Sequence, residues 1–248
     1  MVQIPIALQL YAVREDCEKD FPATLGAAAK LGYEGVEFAG YYGFSALELR
    51  RILDDLGLQV AGTHTMLETL LADEFERTLE FNKTLGNEFL IVPIVVNRKS
   101  RADWLEFART LEEIAERLRP FGMKTGYHNH FDEFKPVDGE MPWDIIFSNT
   151  RPDVVMQIDT GNALQGGADA VQFLEKYPGR ALTVHLKEYS GRNDKALIGE
   201  GEVRWKEVFR LCESLGGTQW YIVEQEQYAY PPLECAERNL RALREMGR

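Results

Sequence analysis

Residues 85–96 read LGNEFLIVPIVV. Gly86 closes an amphipathic segment, and a glycine just past a helix suits a left-handed cap. The eight residues that follow, FLIVPIVV, carry no charged or histidine side chain. A half-exposed strand would alternate apolar and polar residues. One that is apolar throughout is expected to be buried on both faces, as in a parallel sheet covered by helices.

Outward from this stretch the same unit recurs: a short apolar strand, a loop and an amphipathic helix. Strands are expected over 6–10, 35–38, 59–64, 89–96, 123–128, 154–158, 181–186 and 220–224. Helices are expected over 21–31, 45–56, 68–85, 102–119, 143–149, 168–176, 205–215 and 233–246. In the fourth helix, Leu105, Ala108, Leu111, Ala115 and Leu118 form one stripe. Further glycines stand where helices should end, in LGYEG, LGLQ, FGMK and LGGT. Eight such units in 248 residues predict an α/β fold, a single (β/α)8 TIM barrel over residues 1–248. The runner-up is a doubly wound open sheet, but no glycine-rich phosphate fingerprint follows the first strand.

With 45% hydrophobic residues the chain can bury a large core, which excludes disorder. Its formal charge of −12 and the lack of a basic stripe argue against nucleic acid. Cys17, Cys212 and Cys235 are far apart and lack metal spacing, which fits reduced thiols and a cytoplasmic protein. The first residues read as a strand rather than a signal peptide, and no apolar run is long enough for a membrane.

A TIM barrel places its active site at the C-terminal ends of the strands. Those ends carry Gln9, Tyr11, Glu37, His64, His128, His130, Asp159, His185, Lys187, Glu224 and Glu226, which include all four histidines. Alternation puts Asp159 on one face with Gln157 and Val155, His185 with Thr183 and Lys187, and Glu224 with Ile222. Asp159, His185, Glu224 and a strand-five group would make a mixed N/O site for one divalent metal: Mn²⁺, Co²⁺, Mg²⁺ or Zn²⁺. A carboxylate beside the metal can remove a proton α to a carbonyl. Blander roles compete: Asp159 as a helix cap, Glu224 paired with Lys187, the histidines as structural groups.

The segments LQLYAVRED, LGYEGVEFAG, THT, MQIDTGNA, VHLKEY, IGEGEVRW and VEQE, in this order, resemble the xylose isomerase-like TIM-barrel superfamily. More narrowly they resemble its sugar phosphate isomerase/epimerase branch, related to ketose 3-epimerases, hydroxypyruvate isomerase and inosose dehydratase. The resemblance implies one divalent metal, with Asp159, His185 and Glu224 in three of its four places. The family's strand-five Glu, also a catalytic base in the epimerases, is replaced by His128 in YHNH. His128 is therefore expected to ligate the metal or act as the base beside Glu224. Gln9, Tyr11, Glu37, His64, Asn129, His130, Asn162 and Lys187 are the expected substrate contacts.

The resemblance implies a metal-dependent isomerase or epimerase working through an enediolate on a ketose, sugar acid or cyclitol. The second expectation is a lyase or hydratase on a keto-sugar or keto-cyclitol, which the change at strand five favours. The third is a non-catalytic sugar-binding barrel, with Tyr11, Trp143 and Trp205 as stacking surfaces. The expected partner is a small carbohydrate, without nucleic acid or membrane, and a homo-oligomer is compatible with the sequence. The loop LIGEGEV is expected to be a flexible lid or turn.

Overall fold

A computed structural model describes residues 3–248. Eight parallel strands form one sheet: β1 (Ile6–Gln9), β2 (Gly35–Phe38), β3 (Gln59–His64), β4 (Phe89–Val92), β5 (Lys124–His128), β6 (Val155–Gln157), β7 (Thr183–Leu186) and β8 (Trp220–Val223). Their order is β6-β5-β4-β3-β2-β1-β8-β7, which curls the sheet into a nearly closed (β/α)8 TIM barrel. The last seam has no regular ladder. There β6 and β7 meet through one parallel bridge, Asp159 with His185, and the His185 N–H donating to the Ile158 carbonyl at 2.9 Å.

The helices covering the sheet are α1 (Arg14–Lys19), α2 (Phe21–Leu31), α3 (Ala46–Leu56), α4 (Phe75–Leu85), α5 (Arg101–Leu118), α6 (Pro142–Ser148), α7 (Thr160–Gln165), α8 (Ala170–Lys176), α9 (Trp205–Leu211) and α10 (Pro232–Glu245). Among the described residues no helix is long and apolar enough to cross a membrane. Ser45 and Ser100 begin α3 and α5 with reciprocal capping boxes, to Glu48 and Asp103. Gly57 and Gly86 end α3 and α4 at φ 68° and 78°, where a side chain would be strained.

Several elements differ from the expectation, among them the unexpected short helix α1 and α9, which ends at Leu211 and passes into a π turn. The helix expected over 68–85 is broken into two 3-10 turns before α4, with Ala72 at φ 45°. Strand β4 stops at Val92, because Pro93 has no N–H to continue the ladder. The short helix α7 follows β6 directly and is capped by Asp159.

Val155, Ile222, Ala7, Ala61, Phe89, Ile91 and Trp220 form an apolar cluster separate from the larger core between sheet and helices. These residues fill the inside of the barrel. Two places along β6 and β8, toward the strands' C-terminal ends, the same inward faces carry Gln157 and Glu224. The interior thus turns from apolar to polar along its axis.

Candidate active site

The polar layer is built from paired side chains. The Glu37 carboxylate accepts from Gln9 Nε2 at 2.6 Å, from Gln157 Nε2 at 2.7 Å and from His185 Nε2 at 2.6 Å. With its NH₂ donating to Glu37 and to Thr183, Gln157 presents Oε1 to His64 Nε2 at 2.9 Å. His64 therefore carries its proton on Nε2. Burial, outweighing Glu37, keeps its pKa below the usual histidine range.

His185 is clasped from both sides, with Nδ1 2.6 Å from Glu224 Oε2. Burial opposes its charge, but Glu37 and Glu224 override that and push its pKa up to about 10. Glu224 lies well below the ordinary carboxylate range, because Lys187 and His185 more than offset its burial. Asp159 moves the other way, to about 7: burial raises it, Lys187 opposes, and Glu224 raises it further. His128 is held well below the ordinary histidine range by burial and by His185 and His64, so it is neutral.

Asp159 divides its work between its oxygens. Oδ1 accepts from the Asn162 N–H at 2.6 Å, capping α7, while buried Oδ2 has no hydrogen-bond partner. Asn129 fixes this residue by accepting from its N–H at 2.8 Å and donating to its carbonyl at 3.3 Å. His128 Nε2 lies 4.0 Å from Glu224 Oε2, and Asp159 Oδ2 lies 4.0 Å from His185 Nδ1. His128, Asp159, His185 and Glu224 each offer one ligand atom, all within 4.8 Å of one another. Bonds of about 2.1 Å put neighbouring ligands roughly 3 Å apart and opposite ones roughly 4 Å apart. The spacing, the mixed N/O donors and the bare Asp159 oxygen fit one divalent ion.

Of these four, His128 and Glu224 border a cavity of about 640 Å³, which is lined at this end also by Tyr11, His64, His130 and Glu226, while Asp159 and His185 lie beneath its wall. Gln9, Glu37, Asn129, Asn162 and Lys187, expected as substrate contacts, are absent from its wall. Gln9 and Glu37 lie fully buried behind His185, while Asn129 and Asn162 hold Asp159. Lys187 pairs with Glu226 at 2.9 Å rather than with Glu224 or Glu37.

The stacking role expected of Trp143 and Trp205 fails. Trp143 is buried against Tyr127, Phe134 and Phe147, and Trp205 donates to Glu188 at 2.8 Å. The LIGEGEV loop is not loose either. The buried Glu188 carboxylate accepts from the N–H groups of Tyr189, Gly199 and Val203 and so pins it. The sequence assigns no role to Glu188, which follows Lys187, or to Glu133, which accepts from Tyr127 Oη at 2.6 Å and from the His130 N–H at 2.8 Å. An acidic residue three places past YHNH was the available signal.

Glu37 accepts from His185 Nε2, so it would fix the tautomer that presents Nδ1 to a metal once the Nδ1 proton has been displaced. Glu37→Gln is expected to weaken divalent-metal binding by about 10- to 100-fold, measured by calorimetry, although residue 37 is not itself one of the four candidate ligands. Unchanged affinity would rule out this outer role.

A family model for the xylose isomerase-like TIM barrel matches residues 25–246. The rhizopine catabolism protein MocC of Rhizobium meliloti is 25% identical, covering 82% of this chain and 74% of that protein. An inosose dehydratase of Clostridium botulinum is 23% identical over 85% of this chain and 83% of its own. Among solved structures, a sugar phosphate isomerase/epimerase from Parabacteroides distasonis superposes with TM-score 0.86 at 22% identity, covering 98% of both chains. An L-ribulose 3-epimerase superposes with TM-score 0.74 at 15% identity, over 99% of this chain and 94% of that one. Matched over most of its length, the chain belongs to the xylose isomerase-like TIM-barrel family.

Proposed function

We propose that the protein is a divalent-metal-dependent enzyme that enolises a keto-sugar or keto-cyclitol and then expels, or in reverse adds, a β-substituent. It is thus a lyase or hydratase. The observation that carries this reading is the 4.0 Å between His128 Nε2 and Glu224 Oε2. Two bases gripping one carbon from opposite faces, each at about 3 Å, stand roughly 6 Å apart. These nearest atoms do not bracket a carbon, and a neutral His128 stands where a second carboxylate base would be, so the site favours chemistry with a single base. The relatives named inosose dehydratase support loss of water as the outcome.

His128, Asp159, His185 and Glu224 would hold the ion. Two imidazoles beside two carboxylates suit Mn²⁺, Co²⁺ or Zn²⁺ better than Mg²⁺. When bound, the ion supplies a Lewis acid that polarises the substrate carbonyl and offsets the charge left as the α-proton departs. Glu224, held ionised at the cavity wall, takes that proton. His130 stands edge-on to His128, with ring centroids 5.3 Å apart, and lines the same cavity. In this reading it returns a proton to the departing oxygen. His64, fixed by Gln157, orients a hydroxyl.

One-base isomerisation is the second reading. It needs the same Glu224, returning the proton to the neighbouring carbon on the same face. With Mn²⁺ bound, the protein is expected to exchange the α-hydrogen of keto-sugars or keto-cyclitols with deuterated solvent and to change the product mass by one water. Exchange without a mass change would select isomerisation. No exchange across a broad panel would sink both.

A further inference from the structure

The cavity extends well beyond the histidines. Its far end is walled by Met66 after β3, Pro93 and Ile94 after β4, and Phe81 of α4, with Tyr41 against Phe81 at a ring separation of 4.2 Å. Met66 is 47% and Ile94 41% exposed. Scattered exposed apolar side chains are ordinary, but here three successive βα units turn theirs toward one cavity. At about 640 Å³ the space lies in the range of ~300–1,000 Å³ that suits multi-ring ligands.

The charges lining it narrow the ligand further. Among the described residues the wall contains one lysine or arginine, Arg77, and it is ion-paired with Glu74. At the other end Lys187 is already paired with Glu226, and Glu224 adds a second carboxylate. A phosphate ester would find no unpaired lysine or arginine on that wall and would face the Glu224 and Glu226 carboxylates.

We infer that the ligand is an uncharged glycoside rather than a free sugar or sugar phosphate. Its polyol ring meets the histidines, and an apolar, planar aglycone lies on Met66, Phe81 and Ile94. This rests on the keto-sugar reading of the histidine end. The far end supplies area and flatness with few polar partners, which an aromatic group exploits and a second hydroxylated ring would not.

The test uses unreactive ligands on the metal-loaded protein: phenyl and methyl β-D-glucoside by calorimetry, with glucose 6-phosphate as a third probe. Phenyl glucoside is expected to bind at least about tenfold more tightly than methyl glucoside. That preference should fall below about twofold in Ile94→Asp and in Phe81→Ala, with methyl glucoside affinity unchanged and melting curves confirming the fold. Equal affinity for the two glucosides, tighter binding of the phosphate, or a preference that survives both substitutions would overturn the inference. So would failure of either glucoside to bind. If Ile94→Asp changes the sedimentation of the protein but not the preference, the surface seats a second copy and the inference falls. Deuterium exchange on the methyl and phenyl keto-glucosides separates the two readings. Exchange without an aglycone preference overturns the glycoside inference alone, and preference without exchange upholds it while removing the enolising function.

Discussion

Asp159→Asn is expected to lower divalent-metal affinity by more than about 100-fold, beyond what losing an outer partner costs, and to remove activity with it. The fold should survive. Asparagine keeps an Oδ1 that can accept from the Asn162 N–H and so preserve the cap on α7. What it replaces is Oδ2, the buried oxygen without a partner, by an NH₂ group that cannot ligate. Calorimetric metal titration paired with a thermal melt checks both halves. Retained metal binding would mean that the other three residues suffice. A large drop in melting temperature would mean that Asp159 serves chiefly the helix. Asp159→Ala, by contrast, loses both oxygens and adds the cost of a missing cap, about 1 kcal/mol.

Gly126→Ala should be strongly damaging although it alters no functional side chain. A Cβ on residue 126 would stand 2.1 Å from the Val155 carbonyl oxygen and 2.6 Å from Val155 Cβ. Both partners belong to the β5–β6 ladder, in which Gly126 pairs with Val155 and His128 with Gln157. Backbone cannot step aside as a flexible side chain can, so the two strands must part. We expect a loss of about 3 kcal/mol, read from denaturant unfolding. Two residues along the same strand, His128 should shift relative to Asp159, weakening metal binding in whatever protein remains folded. A variant as stable as the parent would show that the seam yields more easily than its contacts suggest.

Most of the barrel was legible because its strands are short, apolar and separated by glycine-ended helices. Strands β2 and β3 begin and end at the expected residues. What escaped has physical causes. The interruption before α4 lies in a stretch whose apolar spacing fits a helix throughout, so that spacing gives no sign of the left-handed backbone at Ala72. Alternation along β2 can place Glu37 inside the barrel, but not say whether it meets a ligand or a neighbouring side chain. That depends on strand stagger, which sets how high each residue stands. In the sequence, cap and ligand stand as competing roles for Asp159. One carboxylate has an oxygen for each. Met66, Phe81 and Ile94 were invisible as a group, since apolar residues on a cavity wall read like any others in the core.

The seam between β6 and β7 gives the candidate metal site a second significance. The barrel is stitched by ladders everywhere except there, where Asp159 and His185 form a lone bridge. These two residues are also half of the candidate ligand set. An ion held by strands five to eight would therefore act as a clasp on the open edge of the sheet, and its affinity would add directly to the resistance of that edge to opening. Amide hydrogen exchange at His185, whose N–H spans the gap to Ile158, should slow markedly when metal is added, while amides in β2 and β3 barely respond. A catalytic ion in this position would double as the rivet that closes its own container.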